Sequence, residues 1–369
     1  IMLYCASLRW HCDGWCVAVT EVRLDRRLDA SLAKALDDFT AGTGERDAPR
    51  EFTGLLARHL RTPGKRIRAK LLLASYQAHG GKVSSGRLIP WAASFELLQA
   101  FILAHDDLID AAPSRRGRHS LQKEFRVRGF SRAEALTLLG GDALYLLGLE
   151  RLLDLPEEPS RIVRALRYLF AAGRKTVVAE VDHLLMRPPD LLTASPAVLE
   201  TIYRGKTAHY SFIAPLVCGA LTAGRDHCHV QRLERLGADL GVAFQLQDDL
   251  FDLYPGPGAE SDESYEDIRN SRVTWIVVRA ARESAAAERE RLVNVFRKEK
   301  KTRADIGFIT TLIERRGARK NAEERIRALL SRAARSLALL PLPDKRRLTA
   351  VIRAAFLPVY HAELEPRTE

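Results

Sequence analysis

The spacing of apolar residues is the feature of this sequence that most constrains its fold. Leucine recurs every four residues near the start, at Leu24, Leu28, Leu32 and Leu36, which matches the period of an amphipathic helix. Similar patterns continue to residue 362, and no segment alternates apolar and polar residues as a strand would. Ala, Leu and Arg dominate, and only 7% of residues are aromatic, which also favours helix. The sequence therefore predicts an all-α fold, a single large bundle of ten or more helices.

The first twenty residues differ from the rest of the chain. They contain Cys5, His11, Cys12 and Cys16, but this spacing fits no standard zinc finger. Polar residues interrupt their apolar stretch, so they make a poor signal peptide. We therefore predict an N-terminal extension over residues 1–20 and one helical domain over residues 21–369. The five cysteines form no disulfide framework, which favours a reducing, cytoplasmic location.

The formal net charge of +11 raises the question of an anionic partner. No long Lys/Arg tract and no aromatic–basic interleaving occurs, because basic residues are mixed with Glu and Asp, so no nucleic-acid binding is expected. No run of about twenty apolar residues is apparent, and stable membrane insertion is not expected either. The positive charge would then act locally, on an anionic substrate.

Two identical acidic patterns end two apolar helices of the predicted bundle. The first is Asp106, Asp107 and Asp110 in "FILAHDDLID", and the second repeats the i, i+1, i+4 spacing in "FQLQDDLFDL". The repeat consists of Asp248, Asp249 and Asp252. A helix C-terminus already carries negative partial charge, so acids there require a positive partner. A solvated helix end would explain one such triad, but two identical triads favour a cation site.

The composition of the triads indicates which cation they would bind. Both contain only oxygen ligands, which suit Mg²⁺, an ion that takes one or two carboxylates together with substrate phosphates. Neither contains the His or Cys that zinc or copper would prefer. If the two helices are neighbours, up to six carboxylates face each other across a cavity, and their repulsion would require divalent cations. A separate Glu-x-x-His, Glu180 to His183, occurs only once, which does not support a di-iron site.

Two basic clusters complement the acids. Lys65, Arg66 and Arg68 lie at a predicted helix start, where backbone N–H groups also favour anions. Arg115 and Arg116 follow the first triad, and arginine forks suit phosphate oxygens. Two acidic and two basic groups suggest two anionic ligands, one bridged by metal and one held directly by Lys and Arg.

Together these motifs resemble the polyprenyl synthetase family, the trans-isoprenyl diphosphate synthases. The similarity covers roughly residues 25 to 360, with "GKRIR", "FELLQAFILAHDDLIDAAPSRRG", "GGDALYLLG", "YRGKTAHYSF" and "GVAFQLQDDLFDLY" in the family's order. The resemblance implies a helical bundle around a central substrate cavity, a homodimer, and three Mg²⁺ ions with substrate bound. It implies condensation of isopentenyl diphosphate with an allylic diphosphate.

The resemblance also implies roles for individual residues. Both aspartate triads match the motifs that bind Mg²⁺ and the allylic diphosphate, and Arg115 matches an arginine on that diphosphate. Residues that match the isopentenyl diphosphate pocket are Lys65, Arg68, Arg116 and Gln99. Residues that match the lining of the reacting end of the allylic chain are Lys206, Thr207 and Gln245.

The chain departs from the family pattern after the second triad. The family has two lysines here that bind the diphosphate, whereas the loop to residue 272 contains none. Arg272 stands near the second of those positions, and the resemblance implies that it binds the diphosphate instead. Pro63 and Ala69 also replace the usual residues around "GKRIR". These departures leave open a weakly active or non-catalytic partner subunit. A class I terpene cyclase is the other alternative, although it would normally lack "GKRIR" and the second Asp triad.

Product length is implied by the residues just before the first triad. In this family, bulk at these positions closes the floor of the chain pocket, and Phe101 lies five residues before Asp106. Ile102 stands where farnesyl synthases usually have a second aromatic residue. A single aromatic residue implies a short product, C15 or C20, with Ile102 favouring C20; an ordinary core phenylalanine remains the alternative interpretation of Phe101.

Overall fold

The computed structural model describes residues 12–41, 47–61, 64–115, 117–225, 227–254 and 264–364 of the chain. Side chains of residues 12–22, 47–49, 85, 227 and 228 are not described. Cys5 and His11 therefore lie outside the described residues, and the side chains of Cys12 and Cys16 are not described. The described backbone is almost entirely helical, which confirms the all-α prediction.

Seventeen α-helices occur among the described residues. The first nine are α1 (Cys12–Ala41), α2 (Asp47–Leu60), α3 (Ile67–Ala78), α4 (Ser85–Ile109), α5 (Leu121–Val127), α6 (Ala133–Leu153), α7 (Pro159–Leu184), α8 (Asp190–Thr193) and α9 (Pro196–Tyr203). The others are α10 (Ala214–Thr222), α11 (His227–Leu253), α12 (Glu266–Arg269), α13 (Trp275–Arg282), α14 (Ala286–Phe296), α15 (Arg303–Arg315), α16 (Ala318–Ala338) and α17 (Arg346–Ala355). A π-helix (Arg204–Ile213) joins α9 to α10, and a 3₁₀-helix (Pro358–Leu364) follows α17. The only strands in the described part are β1 (Ser114–Arg115) and β2 (Arg118–His119), an antiparallel pair.

The helices group into two compact units. The first comprises residues 1–66, 84–109 and 120–155, and the second comprises residues 67–83, 110–119 and 156–369. In the first unit α4 packs along α6 and also contacts α1. In the second, α11 packs against the π-helix and α16, while α3 packs against α10 and α17.

Glycines let α6 approach α4 closely within the first unit. A Cβ on Gly141 would lie 2.3 Å from His105 Nε2, and one on Gly148 would lie 3.0 Å from Leu98. These glycines are seven residues apart, about two helical turns, and so face α4 together. The "GGDALYLLG" motif therefore has a packing function in this chain.

Helix α4 is more apolar than predicted. Residues Gly86–Ile109 have the length and composition of a membrane-spanning helix, so the statement that no such run occurs is wrong. However, 67% of its most apolar window is buried within the protein. Packing in a protein core accounts for this composition.

Candidate functional site

The first aspartate triad begins at the C-terminal end of α4. Asp107 is fully buried and Asp106 is half-buried, and both belong to the first unit. The last turn of α4 contains no basic residue. The acids therefore lie at the negative end of the helix dipole without compensation from their own helix.

Phe101 lies one and a half turns before these acids and packs against two rings. Its ring centroid is 5.1 Å from that of Tyr145 on α6 and 4.7 Å from that of His105. His105 Nε2 lies 3.2 Å from the carbonyl oxygen of Leu138, which fixes the imidazole between α4 and α6. Phe101 thus belongs to an aromatic cluster, with Ile102 half-buried beside it in the chain.

The third acid of this triad, Asp110, has a different partner. Its Oδ1 accepts a short hydrogen bond from Arg272 Nη2, and both residues belong to the second unit. Asp110 was predicted as a metal ligand and Arg272 as a diphosphate ligand. In this structure the two predicted ligands pair with each other.

The other predicted basic residues lie in two regions of the chain, around β1 and around the start of α3. Arg115 is half-buried on β1, and Arg116 lies outside the described residues. Lys65 is exposed just before α3. Arg68, on α3, donates from Nη2 to Ser211 Oγ at 2.6 Å and lies over the ring of Tyr210. Gln99, in the first unit, has a buried Oε1 that accepts no hydrogen bond from the described residues.

The second triad ends α11, and its members differ in environment. Asp248 is exposed, whereas Asp249 is only 3% exposed. Asp249 accepts hydrogen bonds from Gln245 Nε2 at 2.9 Å and from the Tyr203 hydroxyl. Asp252 accepts backbone N–H groups of residues 266 and 267 at 2.7 and 3.3 Å, so it fixes the start of α12.

The electrostatics of the second triad reflect this burial. Desolvation, followed by the nearby carboxylate of Asp267, raises the pKa of both Asp249 and Asp252. Burial and the carboxylate of Asp249 likewise raise the pKa of Tyr203 well above its usual value, so its hydroxyl remains a donor. These carboxyl groups are therefore costly to ionise in the metal-free protein, and a bound cation would favour their ionised form.

The predicted Lys206 and Thr207 lie on the π-helix. Thr207 Oγ1 donates to Gln245 Oε1, and Gln245 in turn donates to Asp249, so the structure joins three predicted residues in one hydrogen-bonded chain. Close packing holds the π-helix on both sides. A Cβ on Gly205 would lie 2.2 Å from Ala179 Cβ of α7, and one on Gly241 of α11 would lie 2.2 Å from Ala208. π-Helical segments often occur at functional sites.

Sequence reasoning missed three residues in this area. Glu180 and His183, on α7, both contact Lys206, and Tyr203 contacts Asp249. The available signal was the Glu-x-x-His pattern, which places two polar side chains on one helix face. In the sequence this pattern is typical of an iron site, and it gives no indication that the two residues hold another side chain.

Magnesium is the metal that the family resemblance implies. The residues of this site fit a magnesium ion that binds together with its substrate. Among the described residues, no group of three or more His, Cys, Asp or Glu side chains is arranged to hold one metal ion. The all-oxygen set and the buried negative charge at Asp249 suit Mg²⁺, which commonly takes few carboxylates and completes its shell with substrate phosphate and water. The residues therefore fit an ion that arrives with a diphosphate.

Comparisons with known proteins agree with these observations. The family model described as polyprenyl synthetase matches residues 50–313. The geranylgeranyl diphosphate synthase of Mycobacterium tuberculosis is 30% identical over 272 residues, covering 73% of this chain and 74% of that protein. The farnesyl diphosphate synthase of Geobacillus stearothermophilus is 31% identical over 238 residues, covering 62% and 75%.

A solved structure supports the fold. The geranylgeranyl pyrophosphate synthase of Corynebacterium glutamicum, complexed with isoprenyl diphosphate and magnesium, superposes with a TM-score of 0.80 at 23% identity. The match covers 90% of this chain and 98% of that one.

Proposed function

Since the chain belongs to the polyprenyl synthetase family, we propose that it condenses isopentenyl diphosphate with an allylic diphosphate to give a short trans-prenyl diphosphate. The family match confirms the prediction from the five motifs, and the chain is a prenyltransferase. The observation that carries the proposal is that the matched region, residues 50–313, contains all five motifs.

The reaction breaks the C–O bond of the allylic diphosphate and leaves an allylic cation. The double bond of isopentenyl diphosphate attacks this cation to form a C–C bond, and a proton is then lost to the released diphosphate. Lys206, Arg115 and Arg272 stabilise the charge that develops on the departing diphosphate. The Thr207 hydroxyl and main-chain oxygens near it stabilise the cation. No protein nucleophile is needed.

The two aspartate triads would hold Mg²⁺ together with the allylic diphosphate. When bound, Mg²⁺ acts as a Lewis acid that offsets negative charge on the phosphoryl oxygens. The all-oxygen donors and the buried charge of Asp249 support this assignment, and three ions are the number expected from the family. Lys65, Arg68, Arg116 and Gln99 would hold isopentenyl diphosphate.

Product length is assigned to Phe101, with Ile102 next to it. The Phe101 ring is braced by Tyr145 and His105, so it forms a rigid obstacle and can stop a growing chain at C20 or C15. Replacing Phe101 with Ala is expected to lengthen the products in a chromatographic analysis of their chain lengths. An unchanged product profile would refute the assignment.

The function is tested with labelled isopentenyl diphosphate and C5, C10 or C15 allylic diphosphates in the presence of Mg²⁺. Condensed products are expected, with C20 the longest main product. Cyclic hydrocarbons formed without isopentenyl diphosphate would instead indicate a terpene cyclase. Absence of turnover with every primer would indicate a partner subunit that is inactive alone.

A homodimer is the assembly that we propose. Exposed apolar side chains form stripes along two helices, with Leu139, Leu146 and Leu153 seven residues apart on α6. On α7, Phe170, Val177 and Leu184 have the same spacing. Exposed stripes of this kind are typical of protein–protein contacts. Light scattering after gel filtration tests the dimer, and Leu146→Glu should weaken it.

We also propose a cytoplasmic location, without nucleic acid or stable membrane insertion.

A further inference from the structure

Lys206 is held from one side by two residues of α7. Its Nζ lies 3.0 Å from His183 Nδ1 and 3.5 Å from Glu180 Oε2. Glu180 and His183 are three residues apart and so share a helix face. The Lys206 side chain is only 12% exposed, so its ammonium group exchanges much of its hydration for these two contacts.

The hydrogen bonds define the protonation state of His183. An ammonium group can only donate, so Nδ1 of His183 must accept from Lys206. The other ring nitrogen, Nε2, lies 3.0 Å from the carbonyl oxygen of Val273 and therefore carries the proton. Burial, followed by the cations Lys206 and Arg272, lowers the pKa of His183 to about 3. His183 is thus a neutral imidazole in one fixed tautomer.

Glu180 links Lys206 to the second cation of this region. Its Oε1 lies 3.9 Å from Arg272 Nη1, while Oε2 faces Lys206. Arg272 also pairs with Asp110. One carboxylate therefore lies between two cations, both assigned above to the departing diphosphate.

We propose that His183 and Glu180 are positioning residues that hold the ammonium group of Lys206 ready for the diphosphate. This inference rests on the proposed function of Lys206. Neither residue belongs to the five motifs, and no role follows for them from the family resemblance described above.

The physical reason is preorganisation. Ordering a lysine side chain costs conformational entropy, because lysine has several freely rotating bonds. If His183 and Glu180 hold the side chain in the folded protein, this cost is met before the substrate binds, and the charge is fixed where negative charge develops. A neutral acceptor at position 183 orients the ammonium group of Lys206. It adds no second negative charge, which would compete with the diphosphate for that group. The Val273 carbonyl in turn prevents the ring from rotating.

A double-mutant cycle between positions 183 and 206 tests the proposal. His183→Leu removes the acceptor for Lys206. It is expected to reduce kcat roughly tenfold, and to reduce the affinity for inorganic pyrophosphate with Mg²⁺, measured by calorimetry, by the same factor. This is the size expected for one hydrogen bond to a charged group. His183→Asn, which keeps an acceptor near Nδ1, should restore most of both. In the Lys206→Ala background, His183→Leu should cause no further loss.

The matched control is His79→Leu, at another buried histidine of the second unit that lies outside the site. It should alter the melting temperature and leave pyrophosphate affinity unchanged. Equal losses from His183→Leu with and without Lys206 would overturn the proposal, because the residue would then act on the fold. If His183→Leu does not fold, the same cycle with His183→Asn decides, since its smaller loss must also vanish in the Lys206→Ala background. Absence of turnover and of pyrophosphate binding in the wild type would instead refute the proposed function.

Discussion

The two aspartate triads have the same spacing but different surroundings. In the first, Asp107 is fully buried and Asp110 pairs with Arg272. In the second, Asp249 and Asp252 accept hydrogen bonds from a tyrosine, a glutamine and backbone N–H groups, and no arginine or lysine pairs with either in the described structure.

The spacing of a motif determines where its carboxylates lie along the helix. The residues around the motif determine how the charge of those carboxylates is compensated. An ion pair compensates the first triad at Asp110. In the described structure, the hydrogen bonds to Asp249 and Asp252 come from neutral donors, which add no positive charge, although Lys206 offsets part of the charge of Asp249. The second triad should therefore depend more strongly on an added cation for its stability.

The largest expected effect comes from removing one charge from each triad. Asp106→Asn and Asp248→Asn should each lower kcat by roughly a hundredfold or more, as loss of a group that stabilises transition-state charge does. Steady-state kinetics at saturating Mg²⁺ measure this. Asp37→Asn, an exposed acid on α1, is the control and should retain wild-type kinetics. Wild-type kcat in either triad variant would show that its motif binds no catalytic metal.

The next prediction concerns the pair found only in the first triad. Arg272→Ala should lower the free energy of unfolding by about 1–2 kcal/mol, since it removes a hydrogen bond between charged groups and leaves Asp110 without this partner. Arg272→Lys should recover part of the loss because it keeps the charge. Urea unfolding of the metal-free protein measures both variants. If Arg272→Ala is as stable as the wild type, the pair does not form in solution.

Neutralising the buried acid of the second triad should have the opposite sign. Asp249→Asn is expected to raise the unfolding free energy of the metal-free protein by about 1 kcal/mol, because it removes a carboxylate whose ionised form is desolvated and repelled by Asp267. The hydrogen bonds of Gln245 and Thr207 can reverse direction to accommodate the amide. Asp248→Asn, at the exposed position, should change stability by less than about 0.5 kcal/mol. If Asp249→Asn is less stable than the wild type in EDTA, the hydrogen bonds from Gln245 and Tyr203 stabilise the protein by more than the buried carboxylate destabilises it.

The smallest effect at neutral pH comes from a buried histidine outside the site, which changes the stability only in acid. His79 is 1% exposed, and burial lowers its pKa to about 4 from 6.5. Because the folded-state pKa lies below the unfolded one, the stability is fully present above pH 6.5 and falls as the pH drops toward 4, by about 3 kcal/mol in all. Unfolding measured across this range should show the slope, and His79→Leu should reduce it. An unchanged slope would assign it to other groups.

Much of the fold was predictable from apolar spacing. The apolar spacing of residues 160–186 and 228–253 predicts two helices, and these occur as α7 and α11, because their apolar faces are long and regular. The apolar spacing also predicts one helix over residues 21–60, which is wrong, because the structure has two helices there, α1 and α2. Gly42 and Gly44 in the sequence between them were the available signal. The β1–β2 pair was not predicted, because two-residue strands have no readable alternation.

The site was predictable where residues act through their chemical type. Carboxylates at helical spacing and arginines near them predict a cation and an anion from the sequence alone. The Glu-x-x-His pattern places Glu180 and His183 on one helix face, but their contact with Lys206 was not predictable, because they are 26 and 23 residues away along the chain. Only the tertiary packing of α7 against the π-helix brings them together.

Single-residue deletions in the π-helix are expected to affect activity without preventing folding. A π-helix spans i to i+5 where an α-helix spans i to i+4, so a ten-residue segment of this kind carries surplus chain length. Removing one residue between 208 and 213 could be absorbed by reverting to ordinary α-helical winding. The chain would keep its helices while the side chains at 206 and 207 rotate away from their partners. Among single-residue deletions, those in this segment should therefore produce folded but inactive protein.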